Sequence, residues 1–221
     1  MERHFDNELK ELNKNILEMA SLVEGSIIKS IEALKNQDIN KAEEIINNDR
    51  NIDELELAIE DKCLSLLSLF QPQASDLRFI TNAIKINAEL ERMADLSVDI
   101  AQRVLELGNQ PLLKPLVDIP RLAIVAQKMV KEAIDSFVNR DIELAKKVII
   151  SDQEADNLRN LVQKELIYDY MAKDGTTSPR AVPLLLIARH LERICDHATN
   201  IAEDVIYMVS GEIVRHHPEK L

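Results

Sequence analysis

Apolar residues return three and four positions apart along most of the chain, as in Ile27, Ile31 and Leu34, or Leu77, Ile80 and Ile84. That spacing places them on one face of an α-helix, where 3.6 residues complete a turn. The pattern predicts six long helices, over about Asp6–Asn36, Ile39–Leu69, Ser75–Leu107, Pro115–Asn139, Ile142–Ala172 and Pro179–Ser210. The turn Asn36-Gln37-Asp38 offers Asp38 as the N-cap of the second helix. Gly108-Asn109-Gln110-Pro111 ends the third, since glycine suits the position just past a helix and proline cannot continue one. Helices of roughly 30 residues reach about 45 Å at a rise of 1.5 Å per residue. Connections this short force neighbouring helices to run antiparallel.

The pattern is written twice. Asn36-Gln37-Asp38-Ile39 is echoed by Asn139-Arg140-Asp141-Ile142, an offset of 103 (141 − 38). Ala42, Ile45, Ile46, Asp49, Asp53 and Leu55 then meet Ala145, Val148, Ile149, Asp152, Asp156 and Leu158 at the same offset. Further on, Leu90-Glu91-Arg92-Met93-Ala94-Asp95 is matched by Leu191-Glu192-Arg193-Ile194-Cys195-Asp196 at an offset of 101 (192 − 91). The small length change falls in the turns, Gln71-Pro72-Gln73 in one half and Asp174 to Pro179 in the other. The chain therefore reads as all-α, a duplication of an antiparallel three-helix bundle, with repeats over 1–110 and 111–221.

Composition supports this. Only 4 Gly, 7 Pro and 3% aromatic residues accompany 46% hydrophobic and 30% charged residues, the usage of long helices around a real core. No stretch approaches 18 consecutive apolar residues, so no membrane span is expected. The charged N-terminus MERHFDNELKEL lacks a signal-like apolar run, and two cysteines make no disulfide framework, which together point to the cytoplasm. A net charge of −12 with no basic patch argues against nucleic acid as a partner. It is compatible with cations or a basic protein, and more simply with a surface that is merely soluble.

The carboxylates change that picture. Glu91, Asp95 and Asp99 stand at i, i+4 and i+8 on one helical face, and Glu192, Asp196 and Asn200 occupy the equivalent places in the second half. The preceding helices carry Asp49/Asp53 and Asp152/Asp156 at the same spacing. Counting outward from the turn at Pro72, Asp53 and Glu91 lie about 19 residues away on either side, so the two pairs are expected at one height on adjoining antiparallel helices. Like charges four apart repel by roughly 0.2–0.5 kcal/mol unless neutralised. Two facing pairs make an oxygen-rich set that hard or borderline cations favour. The alternative is an ordinary solvated face, with Arg92 and Arg193 neutralising their neighbours.

Enzyme chemistry has less support. Glu-x-x-His, the di-iron arrangement of helical bundles, is absent: Ala94, Cys195 and Thr199 stand three residues after Glu91, Glu192 and Asp196. His190 and His197 have Glu89 and Leu96 as repeat counterparts, so neither reads as a shared ligand, and Cys195, opposite Ala94, reads as a packing residue. No phosphate-binding glycine loop or Ser-His-Asp pattern is present. A metal-free helical adaptor and a metal-dependent enzyme that activates water remain as other readings.

Gln73-Ala74-Ser75-Asp76-Leu77-Arg78-Phe79-Ile80, followed by Glu89 to Asp95, resembles the third helix of PhoU proteins, and Leu191 to Asp204 with Tyr207 and Gly211 resembles the sixth. The likeness covers essentially the whole chain. The family's E(D)xxxD motif falls on Asp49/Asp53, Glu91/Asp95, Asp152/Asp156 and Glu192/Asp196, with Met93-Ala94 and Ile194-Cys195 in place of the more usual Ile-Gly. The resemblance implies a cytoplasmic accessory protein of the phosphate ABC transporter that represses phosphate-starvation signalling. Its implied partners are the transporter's ATPase subunit and a sensor histidine kinase. It further implies multinuclear iron, or Zn, Ni, Mg or Mn, on the acidic faces, and a homodimer.

Overall fold

The computed structural model describes residues 2–214 of the chain. It contains six long helices: α1 (Glu2–Asn36), α2 (Ile39–Phe70), α3 (Ala74–Leu107), α4 (Asp118–Asn139), α5 (Ile142–Lys164) and α6 (Ser178–Ser210). No strand occurs among the described residues. The all-α, six-helix expectation holds.

The first helix starts at Glu2 rather than Asp6, and two further boundaries differ by more than one residue, for identifiable reasons. The fourth helix begins at Asp118 rather than Pro115. Pro120 lacks an N–H and is tolerated only in a helix's first turn, which fixes the start close to Asp118. The fifth helix was expected to run unbroken to Ala172. It changes at Glu165 into a π-helical turn, Glu165–Met171, closed by the Ala172 N–H on the Ile167 carbonyl at 2.8 Å. A short 3₁₀ turn, Gly175–Thr177, then leads into α6.

The duplicated turns are built alike. At the end of α1, Gln37 takes a left-handed φ of 51°, its N–H reaches the Leu34 carbonyl, and the Asp38 N–H returns to Ala33 at 2.9 Å. At the end of α4, Arg140 has φ 54°, its N–H reaches Phe137, and the Asp141 N–H returns to Ser136 at 2.9 Å. These bonds satisfy the last carbonyls of the ending helix. The same aspartates then cap the next helix, Asp38 accepting from the Lys41 N–H and Asp141 from the Leu144 N–H, each at 3.0 Å.

Buried side chains from both repeats form one continuous apolar core. Its axis is the contact between α3 and α6, the most extensive in the molecule. The two helices run antiparallel, so partners step in opposite directions. Arg78 Nε donates to the Met208 carbonyl at 3.2 Å, Lys85 Nζ to Asp204 at 3.0 Å and Asn200 Nδ2 to Glu89 at 3.0 Å. His190 faces Asp99 at 3.7 Å. Phe79 of α3 also stacks on Phe137 of α4, with ring centroids 5.4 Å apart. Around this axis, α1 and α2 pack on α3, and α4 and α5 pack on α6. The segment between the repeats is held at three points: Gln37 donates to the Gln110 carbonyl, Arg180 to the Pro111 carbonyl, and buried Lys114 pairs with Glu165 where the π turn begins.

Because each cap satisfies a helix N-terminal N–H, Asp38→Ala and Asp141→Ala are each expected to lower unfolding free energy by about 1 kcal/mol. The sites belong to different repeats, so the double variant should show roughly the sum. Denaturant melts check this; an unchanged midpoint in both single variants contradicts it.

Candidate functional site

The α2/α3 groove brings together the first-half carboxylates that the sequence singles out. Asp49 and Asp53 approach from α2 and Glu91 and Asp95 from α3, while Asp99, one turn beyond Asp95, lies at the edge of the set on the side of α6. The burial of Asp49, together with the charges of Asp53 and Asp95, pushes its carboxyl up to about 6. Glu91 is raised by burial and by Asp95, Glu56 and Asp53, and Asp95 by burial and by Asp53 and Asp99. Asp49, Glu91 and Asp95 thus each feel a carboxylate on the opposite helix, as expected of pairs standing at one height. Glu56 belongs to the same set, raised by burial and by Glu60 and Asp53.

The α5/α6 groove repeats the arrangement with one intrusion. Burial and the charges of Asp196, Asp156 and Glu192 push Asp152 up to about 6. Asp196 is raised by burial and by Glu192 and Asp156, with His197 and Arg193 acting the other way. Into this set reaches Arg159, whose guanidinium donates to Glu192 at 3.0 Å and to Asp156 at 3.5 Å. Its repeat counterpart is Glu56. The first groove gains an acid where the second gains its own counter-ion.

Asn200 does not join the second set. Its side chain is turned to α3, donating to Glu89, which also bonds His197 Nδ1 at 2.7 Å. Burial opposes charge on Glu89, but the bonds from His197 and Asn200 outweigh it and hold the carboxyl below its usual range. Asp99, the counterpart of Asn200, likewise stands against α6 at His190, the counterpart of Glu89. The two contacts are one repeat-symmetric pair across the α3–α6 axis. Cys195 is fully buried beneath Asp152 and Asp196, and burial raises its thiol well above the ordinary range, consistent with a packing role.

Oxygen-only donors with unbalanced, mutually raised carboxyls fit a hard cation, since a bound cation relieves the repulsion. Among the described residues, no group of three or more His, Cys, Asp or Glu side chains is drawn together tightly enough to hold an ion as placed. The carboxylates are electrostatic neighbours, and side-chain rotation is needed to make them ligands. The first groove has the stronger case; Arg159 already occupies part of the second.

The PhoU domain model matches twice, over residues 16–104 and 119–205. The chain belongs to the PhoU family. A phosphate-specific transport system accessory protein PhoU homologue of Aquifex aeolicus is 43% identical over 209 residues, covering 95% of this chain and 94% of that protein. The accessory protein PhoU of Escherichia coli K12 is 34% identical, covering 96% and 88%. The fold agrees with the crystal structure of PhoU from Pseudomonas aeruginosa at a TM-score of 0.90 and 34% identity, covering 94% of this chain and all of that one. It agrees with the phosphate transport system regulatory protein PhoU of Streptococcus pneumoniae at 0.88 and 33%, covering 95% and 99%.

Arg159, Glu56, Glu60 and Arg189 carry no motif that marks them in the sequence. The signal was there: aligning the repeats at the offset of 103 sets Glu56 against Arg159, a charge reversal inside an otherwise matched helix.

The raised carboxyls predict a pH dependence for metal-free protein. A carboxyl whose folded pKa lies above its unfolded value binds its proton more tightly when folded. The folded state is therefore favoured below about pH 4, and the advantage is lost as pH rises through about 6 for Asp49 and Asp152. Both groups are partly solvated, so Asp49→Asn and Asp152→Asn should each stabilise by only about 1 kcal/mol at pH 7.5. At pH 4 the gain should vanish. Denaturant melts at the two pH values, in chelator, check the sign.

Proposed function

We propose that this protein regulates phosphate uptake and restrains phosphate-starvation signalling, acting by binding rather than catalysis. The observation that carries the reading is the pair of matched PhoU domains along nearly the whole chain, shared with relatives named as phosphate transport accessory proteins. The partners proposed are the ATPase subunit of the phosphate ABC transporter and a sensor histidine kinase, met in the cytoplasm by a homodimer. No described helix is long and apolar enough to cross a membrane, so contact with a transporter falls on a peripheral surface. Long helices packed on a single core give rigid faces, and the acidic surface suits basic segments, because complementary charge speeds association and selects partners. Such contacts weaken with salt, since exposed charges are screened beyond roughly 10 Å at 0.1 M.

Metal belongs to the same proposal. Asp49, Asp53, Glu91, Asp95 and Asp99 would hold iron, or Zn, Ni, Mg or Mn, in the first groove; Asp152, Asp156, Glu192 and Asp196 are the second set, weakened by Arg159 and by Asn200's commitment to Glu89. A bound cation would neutralise each face and alter what docks there.

Two measurements test this reading. Deletion in the source cell is expected to leave alkaline phosphatase and transporter expression high in abundant phosphate; normal repression, with neither transporter nor kinase recovered in pulldowns, overturns the regulatory role. Elemental analysis of untagged protein purified without chelator should find metal that Glu91→Gln/Asp95→Asn removes from the first groove, the helices staying folded. Metal content unchanged by that double variant rules out the ligand set.

A further inference from the structure

The second groove carries a feature that its counterpart lacks. Arg159 from α5 and Arg189 and Arg193 from α6 line one cavity of about 450 Å³, together with Glu192 and Asp196. That volume falls within the roughly 300–1,000 Å³ of small-molecule sites. At the equivalent positions of the first repeat stand Glu56 for Arg159, Ala88 for Arg189 and Glu60 for Gln163. Duplication thus left four acids against one arginine on one side, and three arginines against two acids on the other.

A third change completes the contrast. In the first repeat, Arg92 is held by Glu89 at 3.1 Å. Its counterpart Arg193 has His190 in place of that carboxylate. Among the described residues, neither Arg189 nor Arg193 makes a hydrogen bond or close ion pair, and both are exposed at the cavity wall. Two guanidinium groups one helical turn apart face a third across the groove, with only Arg159 committed to a protein carboxylate.

We propose that the α5/α6 cavity binds a small anion bearing a phosphoryl group. A guanidinium presents its N–H groups in a planar fork that matches phosphoryl oxygens two at a time. Three forks around one space suit a group whose several oxygens can be shared among them. A monocarboxylate is a poorer fit, because Glu192 already supplies Arg159 with that chemistry and a single charge gains little by replacing it. The dianionic charge of a phosphoryl group is what competes. The inference goes beyond the regulatory reading and does not rest on it, and the first groove has no share in it.

The test is equilibrium dialysis of the full chain at low salt, in chelator so that no metal mediates the contact. The probes are radiolabelled inorganic phosphate, ATP and citrate. Saturable binding of phosphate or ATP at one site per chain, weakened by added salt, is expected; the tighter of the two identifies the source as free phosphate or a nucleotide. Arg189→Ala/Arg193→Ala should weaken it at least tenfold, and Arg92→Ala in the first repeat should leave it unchanged. Arg189 and Arg193 are exposed, so the variant keeps its fold, which circular dichroism verifies. No saturable binding of phosphate or ATP, binding unaffected by the double variant, or citrate binding as tightly as both overturns the proposal. Because the assay contains no metal and no partner, it can fail while the regulatory reading stands, and the reverse.

Discussion

A carboxylate buried between two long helices is costly unless each of its oxygens finds a donor. Glu89 meets that condition because α6 delivers His197 and Asn200 to one oxygen, while Arg92 of its own helix serves the other. The arrangement works only at one register of α3 against α6. Slipping either helix by a turn leaves a charge without partners in a packed interior, and it also parts Lys85 from Asp204 and His190 from Asp99. The polar pairs therefore fix the register, while the surrounding apolar contacts supply most of the attraction. The remaining four helices are placed by this axis, and both acidic grooves lie on its flanks.

Locking the axis also sets how the grooves relate. Each pairs one central helix with one outer helix, α3 with α2 and α6 with α5. Their positions follow from the duplication, but their chemistry does not. The first has kept like charges facing one another, a condition that an external cation would relieve. The second has answered the same repulsion internally, through Arg159. One ancestral arrangement has become two surfaces of different electrostatic character on one rigid body.

Much of this was legible in the sequence because it is periodic or local. Helix existence followed from apolar spacing, the turns from Asn-x-Asp and Gly, and the facing of Asp53 and Glu91 from equal distances to a turn at Pro72. What escaped was non-local. Asn200 lies on the same helix as Glu192, yet eight residues carry it far enough around to face Glu89 on α3, which spacing within one helix cannot reveal. The π turn begins at Glu165, where the linker's Lys114 meets it, a pairing of two residues far apart in the chain. His190 and His197, unmatched in the repeat, read only as local substitutions; both face carboxylates across the axis. The start of α4 was readable from Pro120, had its missing N–H been weighed against Pro115.

The pinned linker has a mechanical meaning. With Gln110, Pro111 and Lys114 each tied to a different part of the molecule, the two halves have no slack through which to hinge. The motion such ties leave open is a small tilt about the α3–α6 crossing. A helix of 33 residues is about 50 Å long, so a tilt of roughly 5° about its middle carries its ends through about 2 Å. Such a geometry would act as a gear, turning a slight change in packing at the centre into a larger displacement at the rims.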